Sequence, residues 1–407
     1  NKNSLYLFVS NPFKVCTKIL SGGLNMAKKI KYGMVGGGVG SFIGDVHRRA
    51  IDLDGKAELV AGCFSSDFSK TLQTGENLNI DKERLYKTYT EMAEKESVRN
   101  DGIAFVVIVT PNNLHYSVAK EFLKRGISVS CDKPLTVEVE QAIELKELAK
   151  KNNCLFAVTY TYTGHVMAKE ARAIVRRGDI GDIRVVIAEY PQSWLADTIE
   201  KDGQKQAVWR TDPAQSGKSN CVGDIGSHIE NMVSYITGLK IKKLIANLDI
   251  IGEGRCLDNN AEIIVKYDNG ASGSYWCSQV AIGYENALKV RIFGTQGSVE
   301  FEQENCNYLK VTKKGQPTQI YSRGNSYISE EAAAFTRIPT GHPEGFFEAF
   351  ANIYSSFVNA LSKKLAGEKI NEKDFDYPNI DMGIEGVKFI AKSVESMQKG
   401  SVWVDMD

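Results

Sequence analysis

A short apolar run that passes straight into a cluster of glycines and out again into a helical pattern leaves a chain few choices. Residues 28–44, KKIKYGMVGGGVGSFIG, have that form. Residues 30–35 mix β-branched and apolar side chains, Gly36, Gly37 and Gly38 admit backbone conformations with φ > 0, and residues 41–51 read as a helix. Such a strand–turn–helix aims unpaired backbone N–H groups and a helix N-terminus at one point, which suits the pyrophosphate of a dinucleotide. The pattern G-x-G-x-x-S runs from Gly36 through Gly38 to Ser41, and Val39, Gly40 and Phe42 complete the candidate cradle. A glycine-rich surface turn has the same local composition.

Beyond this turn the chain repeats the strand-then-helix theme. Residues 57–64 (AELVAGCF) read as a second strand, whose end is where an acidic residue ordinarily meets the adenosine ribose. Here that end is Phe64-Ser65-Ser66, with neither a carboxylate nor an adjoining arginine, so the choice between NAD and NADP stays open, with NAD preferred. Residues 103–109 (IAFVVIV) end in Thr110-Pro111-Asn112-Asn113 and a helix, and residues 127–131 end in Asp132-Lys133-Pro134 and another. A strand at 155–158 completes the series. The alternation predicts a doubly wound parallel sheet of the Rossmann kind over residues 28–158.

Beyond about Tyr160 the style changes. One helix at 167–177 precedes strands at 183–190, 243–251, 261–267, 272–280, 287–293, 298–301 and 308–312, with a hairpin signal at Asp268-Asn269-Gly270, and helices at 345–363 and 382–397 close the chain. Residues 159–407 are therefore predicted to form an α+β domain on an open, mostly antiparallel sheet that binds substrate and supports oligomerisation. Residues 1–27 read as an appendage, disordered or loosely docked, and residues 1–25 precede Met26, the expected natural start. Fifty basic residues balance fifty acidic ones, which gives no general attraction to nucleic acid or to an anionic membrane. No apolar run is long enough to span a membrane, and eight scattered cysteines without a C-x-x-C pair fit a reducing cytoplasm. Histidine and cysteine nowhere cluster at metal-ligand spacing, so no metal is expected.

Several side chains are placed for chemistry. Lys133 lies just past the carboxyl end of a parallel strand, the edge at which open α/β sheets bind ligands; a solvated lysine before a turn-forming proline fits the pattern too. In residues 223–238, GDIGSHIENMVSYITG, apolar residues recur at helical spacing, and Asp224 and His228, four apart, share a face beside the buried stripe. A neutral imidazole near a carboxylate is a good proton acceptor. An Asp near a helix start with a half-exposed His would look the same. Tyr160 and Tyr162 stand at the seam between domains, where they line a cleft or simply pack. Trp209 and Arg210 begin a polar stretch long enough for a binding loop, and His342 precedes a helix, as a ligand contact or as part of the turn leading into it.

Three of these motifs together resemble the glucose-fructose oxidoreductase, inositol dehydrogenase and MocA family, from about Lys28 to the C-terminus. VGGGVGSFIGDVHR is similar to its cofactor turn, TPNNLHYSVAKEFLKRGISVSCDKPL to its T-P-N-x-x-H and E-K-P segments, and GDIGSHIEN to its D-x-x-x-H motif. The resemblance implies a nicotinamide cofactor held by the glycine turn, Ser65, Ser66, Thr110, Pro111, Asn112, Asn113, His115, Asp132 and Lys133. It also implies catalysis by Lys133, Asp224 and His228 on a sugar, glycoside or cyclitol; Tyr160, Tyr162, Trp209, Arg210 and His342 stand beside them as substrate candidates by their place in the chain. Asp132 stands where glutamate is commoner in that family.

The resulting expectation is hydride transfer between NAD(P) and a secondary carbinol carbon, with His228 as general base and Lys133 and Asp224 polarising the hydroxyl. Two other readings fit the same fold: a regulatory protein that binds nucleotide and sugar without turnover, and an enzyme whose tightly held NAD cycles during elimination or epimerisation. Aromatic and apolar side chains on both faces of residues 272–280 further predict a homodimer, or a homotetramer of such dimers, joined through the second sheet.

Overall fold

The computed structural model describes residues 29–407, and the expectations for residues 1–27 lie outside the described residues. The chain opens with β1 (Ile30–Gly36), α1 (Phe42–Leu53), β2 (Ala57–Cys63), α2 (Phe68–Asn77), α3 (Tyr89–Val98), β3 (Phe105–Val109), α4 (His115–Leu123), β4 (Ser128–Cys131), α5 (Val139–Lys151) and β5 (Phe156–Val158). The five strands pair in parallel in the order β2-β1-β3-β4-β5. β3, with the sequence FVVIV, is buried at every position, as a strand covered on both faces must be. The order reverses at β1, so the carboxyl ends of β1 and β3 open a crevice at the topological switch point. Helix α3 lacks a strong apolar periodicity, yet the caps of α2 and α3 are legible: the Asp67 and Thr88 side chains accept from the backbone N–H groups of Ser69 and Glu91.

The second part begins with α6 (Val166–Arg176) and β6 (Ile183–Pro191). Two short helices come next, α7 (Lys205–Arg210) and α8 (Pro213–Ser216), and then a π-helical turn over Val222–Gly226 that runs into α9 (Ser227–Thr237). Strands β7 (Ile241–Asp249), β8 (Asn260–Tyr267), β9 (Ser272–Ser278), β10 (Lys289–Gly294), β11 (Gly297–Glu302), β12 (Tyr308–Lys313) and β13 (Gln319–Ser322) succeed them. The chain ends with α10 (Glu330–Ala333), α11 (Phe346–Leu365), α12 (Ile380–Gln398) and β14 (Val404–Asp405). The nine strands form one sheet, β13-β12-β11-β10-β6-β9-β8-β7-β14, antiparallel except for β6 beside β9. Asp268-Asn269-Gly270 makes the hairpin between β8 and β9, with Gly270 at φ 86°. Helices α6, α9 and α12 bury one face of this sheet, where Tyr275 and Cys277 lie. The other face leaves Val185, Ile264, Phe293 and Ile320 exposed.

The helix at 346–365 crosses the boundary expected after residue 158. Phe350, Tyr354, Phe357 and Leu361 pack with Tyr32, Met34, Val46 and Phe105 in one cluster of the first sheet, and the Phe357 ring meets Phe105 edge-on at 5.3 Å. Thus α11 covers a face of the parallel sheet although it lies more than three hundred residues along the chain. Phe357→Ala is expected to lower the unfolding free energy by about 3–5 kcal/mol, read from urea unfolding, because the buried ring leaves a cavity where the two parts meet. A loss under about 1 kcal/mol would contradict this packing.

Candidate active site

The glycine turn is built for close approach. Gly36, Gly37 and Gly40 have φ of 84°, 73° and 80°, the region in which only glycine is unstrained. A Cβ on Gly44 would lie 2.4 Å from the Gly37 Cα, so the first turn of α1 touches the loop backbone. Gly44 is thus a further cradle residue beyond those the motif singles out, and a glycine inside a helical pattern was the available signal. Ser41 caps α1 by accepting from Gly44 N at 3.3 Å, and the other first-turn N–H groups have no intrahelical partner. Open space surrounds Gly40, and Val39 and Phe42 are exposed beside it. This cradle fits a dinucleotide pyrophosphate.

Around it stand the ends of the neighbouring strands. Ser65 and Ser66 come directly after β2, where Ser65 N donates to Thr71 Oγ1; the nearest carboxylate in sequence, Asp67, is engaged in capping α2. Thr110 and Pro111 lie at the end of β3, and the buried Asn112 reaches across to the second domain, its Nδ2 donating to the Ser216 carbonyl at 3.1 Å, while Asn113 is exposed. His115 is buried, with ring nitrogens 2.9 Å from the Thr110 carbonyl and 2.8 Å from that of Pro134. It ties the β3 and β4 loops together from behind. Asp132 accepts from Lys133 N and from Thr159 Oγ1.

Lys133 crosses the seam. Its Nζ donates to the Asp224 carbonyl oxygen at 2.6 Å and to Asp224 Oδ1 at 2.9 Å. Asp224 Oδ2 pairs with Arg210 Nε at 3.2 Å and accepts from Gln279 Nε2 at 3.1 Å. The Arg210 guanidinium stacks 4.2 Å over the Trp209 ring and 5.8 Å from Trp194. Burial by itself would raise the Asp224 carboxyl, but the Arg210 and Lys133 cations outweigh it and hold the group below the usual carboxylate range.

The helix expected to run unbroken over 223–238 begins instead as the π-helical turn that presents Asp224. Asp258 braces this start: its carboxylate accepts from Asn220 N, Val222 N and Ser219 Oγ, each at 3.0 Å. His228 sits one turn later in α9, enclosed by the rings of Tyr162 at 4.7 Å, Tyr160 at 5.5 Å and Tyr190 at 6.1 Å. Among the described residues nothing hydrogen-bonds its ring, so Asp224 acts on it through charge and not as a direct orienting partner. Burial first, then the Lys133 charge, hold the imidazole well below its ordinary value, against the opposite pull of Asp224.

His342 does not join this group. It is exposed, its Nδ1 lies 3.4 Å from the Pro339 carbonyl, and its own carbonyl accepts from Arg323. Conversely, Gln279, Asn220, Tyr190 and Asn286 take part without any local signature; Gln279 is 55 residues from the carboxylate it holds.

A dinucleotide cradle at a sheet edge, facing an ionised cluster from a second, sheet-based domain, defines a two-domain nicotinamide-dependent oxidoreductase. The chain belongs to the Gfo/Idh/MocA family of such enzymes. Residues 30–160 match the oxidoreductase family with an NAD-binding Rossmann fold, and residues 168–300 match the GFO/IDH/MocA C-terminal domain. The chain is 37% identical to the uncharacterized oxidoreductase YfiI of Bacillus subtilis over 95% of this chain and 99% of that one. An inositol dehydrogenase homolog from Azotobacter vinelandii, solved with NADH and myo-inositol, superposes with a TM-score of 0.87 at 35% identity, covering 93% of this chain and 98% of that one. Levoglucosan dehydrogenase of Pseudarthrobacter phenanthrenivorans is 26% identical over 53% of this chain and 59% of its own.

Four buried histidines are expected to make the fold acid-sensitive. His47, His115, His165 and His228 are each held below 6.5, with burial the largest cause in every case. Below that pH the unfolded chain binds more protons than the folded one, so stability is full above about 6.5 and falls as pH drops, by up to about 1.4 kcal/mol per pH unit for each imidazole. Urea midpoints are therefore expected to fall between pH 7.5 and 5.5, less steeply than four imidazoles alone would give, because the buried Glu230 carboxyl, pushed up to about 8, pulls the other way. A flat profile would contradict the burial of these rings in neutral form.

Proposed function

We propose that this protein oxidises a secondary carbinol carbon of a sugar, glycoside or cyclitol, or reduces the corresponding ketone, with NAD or NADP. The observation that carries the reading is the Lys133–Asp224 pair at the open edge of the parallel sheet with a neutral imidazole, His228, beside it. The glycine turn with Ser41, Ser65, Thr110 and Asn113 would hold the cofactor. When bound, the nicotinamide ring supplies the hydride acceptor.

His228 takes the hydroxyl proton on a ring nitrogen, for which its depressed basicity keeps it unprotonated at neutral pH. Lys133 Nζ has three protons and spends two on Asp224, which leaves one to donate to the substrate oxygen and stabilise the developing alkoxide. Arg210 and Gln279 keep Asp224 occupied, so it holds the lysine in place and does not compete as a base. The relatives solved with NAD+ and with NADH support NAD over NADP. The relative with bound NADH and myo-inositol and the likeness to levoglucosan dehydrogenase support polyhydroxylated rings as substrates.

The open sheet face carrying Val185, Ile264, Phe293 and Ile320 supports a homodimer, or a tetramer of dimers, formed through that face. Light scattering at micromolar concentration is expected to give at least the dimer mass, and a persistent monomer would refute this assembly.

Purified protein with NAD or NADP and a panel including myo-inositol and levoglucosan is expected to produce absorbance at the reduced-nicotinamide band. His228→Ala and Lys133→Met should each lower kcat by about 10²–10⁴-fold with cofactor affinity nearly unchanged. Saturable sugar binding without reduced cofactor would favour a sensor, and product without net reduced cofactor an internally cycling enzyme. Near-normal turnover by both variants would overturn the assignment.

A further inference from the structure

The segment that leaves β9 reaches the surroundings of Asp224 and His228 at two points. At its start Gln279 donates to Asp224 Oδ2 and accepts from Asn220 Nδ2 at 2.8 Å. At its end Asn286 meets three side chains beneath His228. Tyr190 donates its hydroxyl proton to Asn286 Oδ1 at 2.6 Å, and Asn286 Nδ2 donates to the Tyr162 oxygen at 3.2 Å. The two tyrosine oxygens are 2.5 Å apart. Since the Tyr190 proton is committed to Asn286, the proton between the tyrosines comes from Tyr162. The three residues thus close a ring in which every donor points the same way round, and Gln192 Nε2 adds a second donor to Asn286 Oδ1 at 2.7 Å. Closed networks of this kind fix their members more firmly than isolated pairs do.

We propose that Asn286 is a positioning residue for His228: by closing this ring it clamps Tyr162 and Tyr190 against the imidazole and keeps water from it. The inference rests on the assignment of His228 as the proton acceptor. Beyond this ring the hydroxyls of Tyr162 and Tyr190 have no hydrogen-bonding partner among the described residues, so without Asn286 only their mutual contact and packing hold them. Asn286 itself is only half-buried, at the foot of a loop whose tip, Ile282, is 84% exposed, and substitution there disturbs less of the core than a change in Tyr162. The groups that face His228 are Lys133 from the β4 loop, Tyr160 and Tyr162 from the segment after β5, Tyr190 from β6, and Asp224 from its own helical segment. Asn286→Ala changes none of these charges. Any change in the titration of His228 therefore reports the loss of the aromatic enclosure.

The test is a proton NMR titration of the His228 Cε1–H in histidine-labelled protein, assigned by its disappearance in His228→Gln, for wild type, Asn286→Ala and Tyr190→Phe. The wild-type ring is expected to titrate well below the ordinary histidine value. Both variants should protonate at a pH higher by about half a unit or more, Asn286→Ala by more than Tyr190→Phe, because water then reaches the ring. Tyr190→Phe removes a single oxygen and serves if Asn286→Ala does not fold. Identical midpoints in wild type and the folded variants would overturn the proposal. The titration needs no substrate, so its outcome is separate from that of the catalytic reading. Full turnover of myo-inositol by His228→Ala would end the latter, while an unshifted titration with His228→Ala inactive would end only the former.

Discussion

One carboxylate holds the two halves of this molecule in working order. Asp224 belongs to the second domain but receives Lys133 from the first, and Arg210 and Gln279 complete its shell. A lone carboxylate in so enclosed a place would protonate or draw in water, and two cations with an amide donor keep it ionised instead. The same arrangement fixes Lys133 with one proton to spare and places a net positive environment beside His228. Burial and ion pairing, not helix propensity, therefore set the basicity of the imidazole and the direction in which the lysine points.

The rest of the architecture keeps that contact in register. α11 packs on the parallel sheet, and Tyr354 on that helix meets His47 of α1 through a 2.5 Å contact between its hydroxyl and the ring Nδ1. His47 Nε2 in turn lies 4.0 Å from Asp132, next to Lys133. His115 binds the loops after β3 and β4, and Asn112 reaches the Ser216 carbonyl in the second domain. On the far side Asp258 caps the π-helical turn. The lysine and the aspartate are thus each braced from their own domain before they meet.

What the sequence disclosed and what it hid divide along the range of the interactions. The glycine turn, the buried FVVIV strand and Lys133 at a strand end are local patterns, and each appears where its period and turn chemistry place it; the Asp224–His228 spacing brings the two residues together although the helical period breaks at Asp224. Gln279 and Asn286 gave no signal, because an amide acquires a role only from partners 55 and 124 residues away. The π-helical start of α9 was hidden for a related reason: its bracing carboxylate, Asp258, comes from another segment. The return of α11 to the first sheet could not be read either, since an amphipathic helix does not announce which sheet it covers. His342 shows the opposite error, a suggestive residue on a loop that the fold keeps among its own neighbours.

The decisive measurement is a ternary crystal structure with NAD and the ring substrate that turns over fastest. One ring hydroxyl oxygen is expected within hydrogen-bonding distance of both Lys133 Nζ and a ring nitrogen of His228, with its carbon turned toward C4 of the nicotinamide and Asp224 still bound to the lysine. A substrate bound in the cleft with no hydroxyl at that point, or with Asp224 rather than His228 against the reacting oxygen, would contradict these roles.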